Sequence, residues 1–213
     1  MVLLFRCDLW EEFSSDDFYW NRMAYVYSLN AAADFADSVG QSGNDWRLLA
    51  SEIAEETRPH FDGEYIYEAH GREKDGAVIH AIITFGEFLH NPASSEAAKT
   101  VATYNRAFCQ EYPINRQLNG QGVPGVLIGR YPGDSYAGGN PWQLLTAAHA
   151  ELFYLGAEAA LKRGPHLRLD QEQSAWADVF GISHNSTQVE AFSSSKVSPS
   201  LPSTPRPSLQ REV

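Results

Sequence analysis

Residues 17–38 read DFYWNRMAYVYSLNAAADFADS, a stretch that contains neither Pro nor Gly. Apolar residues fall on nearly every face of this stretch when it is drawn as an α-helix, which predicts a helix that is buried on two sides. Asp16 and Asp17 stand at its start, where carboxylates interact favourably with the helix dipole, and Gly40 follows its end. The stretch therefore predicts a helical fold in which helices have neighbours on two sides.

Five further helices are predicted by the spacing of apolar residues and by helix start and stop signals. Asn140-Pro141 is such a start signal, because Asn is a favoured N-cap and Pro is favoured at the first helical position. Residues 61–70 are expected to be irregular or extended, and residues 111–139 to form a long loop that contains Gly and Pro. The predicted helices cover residues 44–57, 77–89, 95–110, 140–163 and 170–180.

The composition excludes several classes of partner. The 213 residues carry a formal net charge of −11, and such a surface repels nucleic acid and anionic membranes, whereas a neutral polysaccharide is unaffected. No apolar run is long enough to span a bilayer, and residues 1–5 are too short for the core of a signal peptide. Aromatic residues reach 12%, which fits either a well-packed helical core or a cleft lined with rings that bind sugar.

Residues 181–213 differ in character from the rest of the chain. They are rich in Ser and Pro and show no apolar periodicity. A segment of this composition cannot bury enough apolar surface to fold, so we predict a disordered tail. The abrupt change after Phe180 indicates either an artefact of the gene model or a genuine Ser/Pro-rich linker. We therefore divide the chain into a domain at residues 1–180 and a tail at residues 181–213.

The first motif with chemical potential is Cys7-Asp-Leu-Trp-Glu-Glu12. Glycosidases need two carboxyl groups across the scissile bond, one that donates a proton and one that activates water or attacks carbon. Adjacent carboxylates beside a Trp suit the donor, because like charges and partial desolvation both raise the pKa of a carboxyl group. The alternative is an acidic stretch that only stabilises the start of the following helix.

The second motif covers residues 129–142, which read GRYPGDSYAGGNPW. The planar guanidinium of Arg130 can grip vicinal hydroxyls or hold a carboxylate in place, and the neighbouring rings can stack on a sugar. The Gly residues let the backbone approach a ligand closely. The alternative is a loop that leads into a helix, with Trp142 in the core.

Together the two motifs resemble fungal glucoamylases of glycoside hydrolase family 15. Those proteins carry D-L-W-E-E before a long helix and, well downstream, G-R-Y-P-x-D-x-Y-x-x-G-N-P-W at the start of another. Both occur here in that order, and residues 71–75, which read GREKD, resemble a weaker family segment. The resemblance covers about residues 4–180 and implies an all-α fold, part of an (α/α)6 barrel with about half of its helices. We expect about six helices, packed as antiparallel pairs in an open arc.

The function that the resemblance implies is that of an inverting, exo-acting glucan 1,4-alpha-glucosidase. Such an enzyme is secreted and releases glucose from the non-reducing ends of α-1,4-glucans such as starch and maltooligosaccharides. The resemblance implies no cofactor, no metal and no partner protein. Histidines recur at positions 60, 70, 80 and 90, but this spacing does not suit a zinc site. The two cysteines, Cys7 and Cys109, are too few for a disulfide framework and can at most pair with each other.

The first motif supplies the catalytic residues by resemblance. Glu11 matches the general acid that protonates the glycosidic oxygen, and Glu12 matches the neighbouring carboxylate that bonds to sugar hydroxyls. Asp8 matches the Asp described as a proton acceptor, for which a supporting charge is the more cautious role. Trp10 matches a ring that packs beside the acid.

The second motif supplies most of the substrate-binding residues by resemblance. Arg130 matches the Arg that contacts substrate beside the cleavage point, and Trp142 matches a ring that packs under that region. We expect Glu11 and Arg130 to lie in loops at the same end of the helical arc, with side chains that face a shared groove. The full set of expected substrate-binding residues is Glu12, Trp10, Arg130, Tyr131, Asp134, Tyr136 and Trp142.

Two departures from the family pattern bear on activity. Gly133 stands where the family usually has an acidic residue. The Glu that serves as the catalytic base in the family lies near the last helices of the barrel, and no segment after Trp142 resembles its motif. Because inversion needs a carboxylate that activates water, the alternative function is a catalytically inactive, truncated fragment.

Overall fold

Seven α-helices make up nearly all of the regular secondary structure in the part of the chain that the structure describes. The structure is a computed structural model, and it describes residues 7–120, 126–162 and 171–180. These ranges contain three isolated β-bridges and no strand, and none of their helices is long and apolar enough to cross a membrane. The helices are α1 (Tyr19–Ser38), α2 (Asn44–Thr57), α3 (Gly76–Phe85), α4 (Ser95–Glu111), α5 (Pro113–Gly120), α6 (Gln143–Lys162) and α7 (Gln171–Val179).

The helices form one series of neighbours. In this series α2 contacts α1, α1 contacts α3, and α3 contacts α6. Helix α6 then contacts α7, α7 contacts α4, and α4 contacts α5. The short connection between α1 and α2, residues 39–43, makes that pair a helical hairpin. The core lies where α1, α3, α4 and α6 meet, and its largest fully buried side chains include Tyr19, Ile79, Tyr104, Phe108 and Leu152. The predicted tail at 181–213 lies outside the described residues.

The start of α1 differs from the prediction. The helix begins at Tyr19, and its first turn contains no acidic residue. Glu68 satisfies this helix end from a distant loop: its carbonyl oxygen accepts from the N–H of Tyr19 at 2.9 Å, and its carboxylate accepts from the N–H of Trp20 at 3.2 Å. Asp17 instead accepts a hydrogen bond from His60 at 2.9 Å. A buried side chain from another part of the chain therefore replaces the predicted local carboxylates.

Helix α5 corrects the prediction of one long loop at residues 111–139. It begins at Pro113, which is a favoured residue at the first helical position. Asn115 of α5 makes long-range bonds, because its side-chain amide donates to the carbonyl oxygens of Phe108 and Leu127, each at 2.8 Å. Its side-chain oxygen accepts from the N–H of Leu127 at 2.9 Å. One buried amide thus joins the end of α4 to the chain that enters the second motif.

The start of α6 was also predicted wrongly. The helix begins at Gln143, so Asn140 is not the residue directly before it and is not its N-cap. The Asn140 amide instead donates to the carbonyl oxygen of Ala137 at 3.0 Å. The N–H of Trp142 donates to the carbonyl oxygen of Ile128 at 2.9 Å. This long-range bond keeps residues 140–142 in the loop, and the helix can start only after it. Helix α3 likewise ends at Phe85, before the predicted Leu89.

Candidate active site

The first motif folds into a tight loop that Asp8 holds together. The Asp8 carboxylate accepts from the N–H groups of Glu12 at 2.8 Å and Phe13 at 3.1 Å, and its own N–H donates to the carbonyl oxygen of Phe13 at 2.9 Å. Asp8 is only 4% exposed. Glu11 lies at the exposed tip of this loop with φ of 61°, a conformation that non-glycine residues rarely adopt. Asp8 therefore shapes the loop that presents Glu11.

Arg130 is the centre of the second motif and is almost entirely buried, with 3% of its surface exposed. Its Nε and Nη2 groups donate to the two carboxylate oxygens of Asp134 at 2.8 and 2.7 Å, a bidentate pair that fixes the guanidinium plane. Its Nη1 group donates to Glu12 at 2.7 Å. The two motifs, 118 positions apart in the chain, are thus joined by a direct ion pair.

Four aromatic rings surround the Arg130 guanidinium. The ring centroids lie between 4.8 and 5.7 Å from its central carbon, within the range of cation–π interactions. Trp10 and Trp142 lie 5.8 Å apart, and Tyr136 is 59% exposed. The arrangement offers both donors and apolar faces, which is what recognition of a sugar requires. The four rings are those of Trp10, Tyr131, Tyr136 and Trp142.

Glu12 is an ionised acceptor in this arrangement. The hydroxyl of Tyr131 donates to its second carboxylate oxygen at 2.7 Å, and this bond together with the one from Arg130 lowers the pKa of Glu12. The hydrogen-bond donors outweigh the opposing effect of partial desolvation on the pKa of Glu12. A carboxylate has about four acceptor positions, so Glu12, whose side chain is 34% exposed, retains capacity for a ligand hydroxyl.

Asp134 was predicted to bind substrate, but its side chain is only 1% exposed and faces Arg130. It also accepts from the N–H of Tyr136 at 2.8 Å. The bidentate bond to Arg130 lowers the pKa of Asp134, which keeps it ionised. The structure thus makes Asp134 the counter-ion of Arg130, and we expect it to act on a ligand through that side chain.

Gly139 forms part of the turn in which the Tyr136 ring lies beside Arg130. Its φ is 66°, and a Cβ atom at this position would lie 2.6 Å from the carbonyl oxygen of Asp134. No side chain fits there without moving the backbone.

Beyond this turn, a groove of about 690 Å³ runs along the start of α6, lined mainly by apolar residues that include Tyr112, Ile114 and Trp142.

Sequence reasoning missed two residues that support the site. Asp75 accepts from the indole N–H of Trp10 at 2.9 Å, and the guanidinium of Arg72 lies 3.6 Å above the ring of Tyr131. Both belong to the segment at 71–75 that carried only a weak family resemblance. A second signal existed for Asp75, because an Asp directly before an apolar helix is a favoured N-cap, and its side chain does accept from the N–H of Ala77.

The histidines at 60, 80 and 90 are engaged within the fold. His60 contacts Asp17 and the carbonyl oxygen of Tyr67, His80 accepts from Trp20, and His90 bonds to Tyr19. In the described part of the chain, no group of three His, Cys, Asp or Glu residues is arranged to hold a metal ion. Cys7 and Cys109, both described, are not joined by a disulfide.

Structure and site together define the class of this protein. An all-α scaffold presents paired carboxylates, a buried Arg and four aromatic rings on loops that precede two of its helices, the arrangement predicted above for an α-helical glycoside hydrolase domain. The profile of Glycosyl hydrolases family 15 matches residues 6–202, and the chain belongs to that family. The match continues beyond residue 180 into the predicted tail, and the boundary between domain and tail stays a prediction.

Individual relatives agree with the family. Glucoamylase-1 of Schizophyllum commune is 31% identical over 159 residues, which cover 69% of this chain and 27% of that protein. Glucoamylase P of Amorphotheca resinae is 31% identical over 186 residues, which cover 79% of this chain and 29% of that protein. The chain thus spans less than a third of the length of these relatives.

A solved structure confirms the fold. The glycoside hydrolase family 15 glucoamylase from Hypocrea jecorina superposes with a TM-score of 0.72 at 22% identity, covering 90% of this chain and 36% of that one. At this identity the likeness concerns the fold alone. It confirms the prediction of an all-α chain that forms part of an (α/α)6 barrel. The roles of individual site residues stay predictions.

Proposed function

We propose that this chain carries the acid side of an inverting, exo-acting glucoamylase site, which releases glucose from the non-reducing ends of α-1,4-glucans such as starch and maltooligosaccharides. The observation that carries the proposal is the ion pair between Glu12 and Arg130 at 2.7 Å. This pair joins the two family motifs, and Glu11, the proposed acid, directly precedes Glu12 in the chain. Secretion, as in the resembled family, is part of the same proposal.

The proposal assigns a role to each residue of the site. Glu11 is exposed at the loop tip and free to approach a glycosidic oxygen, so it is the proposed general acid. Glu12 and the guanidinium N–H groups of Arg130 that Asp134 and Glu12 leave unused would bind sugar hydroxyls. Among the described residues, Asp134 and Glu12 engage three of the five donors of Arg130, and the proposal assigns the other two to a ligand. Trp10, Tyr136 and Trp142 supply rings against which a sugar can pack.

A second candidate is a sugar-binding chain that does not hydrolyse its ligand. Inversion requires a carboxylate that activates water on the face of the sugar opposite the acid. Three carboxylates that belong to the two motifs are already engaged: Asp8 with loop N–H groups, and Glu12 and Asp134 with Arg130. None of these three is poised as the base. This observation favours binding without hydrolysis for the chain by itself.

The experiment incubates the full 213-residue chain with maltotriose and follows the products by proton NMR. Hydrolysis with inversion releases glucose first as the β-anomer, and Glu11→Gln should lower the rate at least about 100-fold, the usual contribution of a general acid. Glu52→Gln, a change at an exposed position of α2, is the matched control and should leave the rate unchanged.

Three results separate the candidates. Release of β-glucose that depends on Glu11 supports the glucoamylase proposal. Saturable binding of maltotriose without release supports the non-hydrolytic candidate. If maltotriose neither binds nor is cleaved at millimolar concentration, both proposals are wrong.

A further inference from the structure

An Arg and an Asp outside both motifs contact each motif. Arg72 and Asp75 lie in the segment before α3, and Arg72 Nη1 approaches a carboxylate oxygen of Asp75 at 3.4 Å. Asp75 is 0% exposed, and the Arg72 side chain is 13% exposed. A buried ion pair has a large desolvation cost, and it contributes to stability only when further hydrogen bonds use its remaining atoms. The further contacts of Arg72 and Asp75 therefore indicate the role of the pair.

Asp75 holds the ring that precedes the proposed acid. The indole N–H of Trp10 donates to both carboxylate oxygens of Asp75, at 2.9 and 3.0 Å. The same carboxylate accepts from the N–H of Ala77 at 2.8 Å, so the position of Asp75 is fixed by the first turn of α3. Its own N–H donates to the hydroxyl of Tyr104 on α4. Trp10 is thereby linked through one residue to two core helices, to α3 by the carboxylate of Asp75 and to α4 by its backbone N–H.

Arg72 contacts the two motifs at once. Its Nη1 donates to the second carboxylate oxygen of Asp8 at 3.2 Å, the oxygen that the loop N–H groups leave unused. Its guanidinium lies 3.6 Å from the centroid of the Tyr131 ring and 5.2 Å from that of Phe13. Tyr131 in turn donates to Glu12 at 2.7 Å. Arg72 therefore contacts Asp8 and Phe13, which lie before and after the Glu11–Glu12 pair in the chain.

We infer that Arg72 and Asp75 are positioning residues, which hold Trp10 and Tyr131 so that the loop presents Glu11 and Glu12 beside Arg130. The catalytic meaning of that position rests on the proposed function; the positioning itself does not. Neither residue faces the groove beside Trp142, so each acts through the side chain that it holds. The inference gives a role to the 71–75 segment, which lies between the two motifs in the chain and contacts both of them in the fold.

Asp75 lies among other buried carboxylates, a setting that also indicates a specific role for Arg72. Two further buried carboxylates, those of Asp8 and Glu68, interact with Asp75, and so does the cation Arg72. The hydroxyl of Tyr104 donates to the backbone carbonyl oxygen of Asp75. Burial raises the pKa of Asp75 to about 7, and it also raises the pKa of Glu68 well above its ordinary value. A cluster this acidic opposes folding when fully ionised, and Arg72 is the group that offsets it.

The test reads the indole N–H of Trp10 directly in the full chain. The resonance is assigned in a proton–nitrogen NMR spectrum as the one that Trp10→Phe removes. A hydrogen bond to a carboxylate deshields this proton, so Asp75→Ala should move it to the position of an indole bonded to water. Asp75→Asn keeps the side-chain shape and one acceptor oxygen, and it should move the proton only part of the way. That conservative variant decides the point if circular dichroism shows that Asp75→Ala is unfolded.

A ligand arm uses maltotriose as the probe. Arg72→Lys removes the planar group that packs over Tyr131, the residue that donates to Glu12. A displaced Glu12 loses its hydrogen bond to the sugar, so the affinity for maltotriose should fall about tenfold, the effect of losing one hydrogen bond to a charged group. Arg106→Lys is the matched control, because Arg106 pairs with Glu64 on an exposed surface, where the side chains are 62% and 70% exposed. Its affinity should equal that of the unaltered chain.

The outcomes are separable. A Trp10 resonance that does not move in the Asp75 variants overturns the inference. In a chain that binds maltotriose, a loss of affinity in Arg72→Lys no larger than in Arg106→Lys overturns it as well. A Trp10 resonance that moves as expected in a chain that neither binds nor cleaves maltotriose establishes the positioning and refutes the proposed function.

Discussion

Replacing Arg130 by Lys tests whether the two motifs depend on one buried guanidinium. The substitution keeps the positive charge but removes the fork that bonds to Asp134 at 2.8 and 2.7 Å and to Glu12 at 2.7 Å. A lysine ammonium can keep one of these three bonds. Each hydrogen bond to a charged group contributes about 1.5–3 kcal/mol, so two lost bonds correspond to roughly 3–6 kcal/mol. Relaxation of the exposed Glu12 recovers part of this, and we expect a loss of about 3 kcal/mol.

The measurement is urea unfolding at 25 °C and pH 7, followed by circular dichroism. With a slope of about 2 kcal/mol per M, a loss of 3 kcal/mol lowers the midpoint by about 1.5 M. Arg106→Lys makes the same chemical change in an exposed pair, where an ion pair is worth less than about 1 kcal/mol, and its midpoint should stay nearly unchanged. Equal shifts in the two variants, or a loss below about 1 kcal/mol for Arg130→Lys, would refute the reasoning.

Three further predictions concern stability and binding. The bond from His60 lowers the pKa of Asp17 from 3.8 to about 2, so the unfolded chain binds more protons than the folded one between those values. Asp17→Asn should therefore cost about 1 kcal/mol at pH 6, an amount reduced by the 46% exposure of the side chain, and the difference should vanish in urea titrations as the pH falls towards 2. Gly156→Ala should lower the free energy of unfolding by about 1–3 kcal/mol in thermal melts, because its Cβ atom would lie 2.5 Å from the buried ring of Trp176. Glu12→Gln should weaken maltotriose binding about tenfold in calorimetry, since the anionic acceptor is lost; an unchanged affinity would remove Glu12 from the site.

The helices show how far local sequence reaches. Residues 44–57 were predicted as a helix and form α2 with the same bounds, and the start of α4 at Ser95 was also predicted correctly. Ser94 caps α4 by accepting from the N–H of Ala97, a contact three residues away. Such bonds join near neighbours in the chain, so residue type and spacing are sufficient to predict them.

The errors occur where distant groups compete with local signals. Asn140-Pro141 has the composition of a helix start, but the N–H of Trp142 donates to Ile128, and the helix begins later. Asp16 and Asp17 precede α1, yet the N–H groups of this helix end bond to Glu68. In both places a partner from another segment satisfies the backbone, and no local pattern reveals that partner.

The sequence by itself determined the all-α class, most of the helices, the family and the two motifs of the site. Only the tertiary structure decided that Glu12 bonds to Arg130 across 118 positions, and that Trp10 bonds to Asp75 across 65. The physical reason is that helix formation depends on hydrogen bonds and apolar spacing over a few residues, whereas the strength of an ion pair or a buried carboxylate depends on its partners and its burial. Those quantities exist only once the chain has packed, and packing is what brings Arg72 and Asp75 of the 71–75 segment into contact with both motifs.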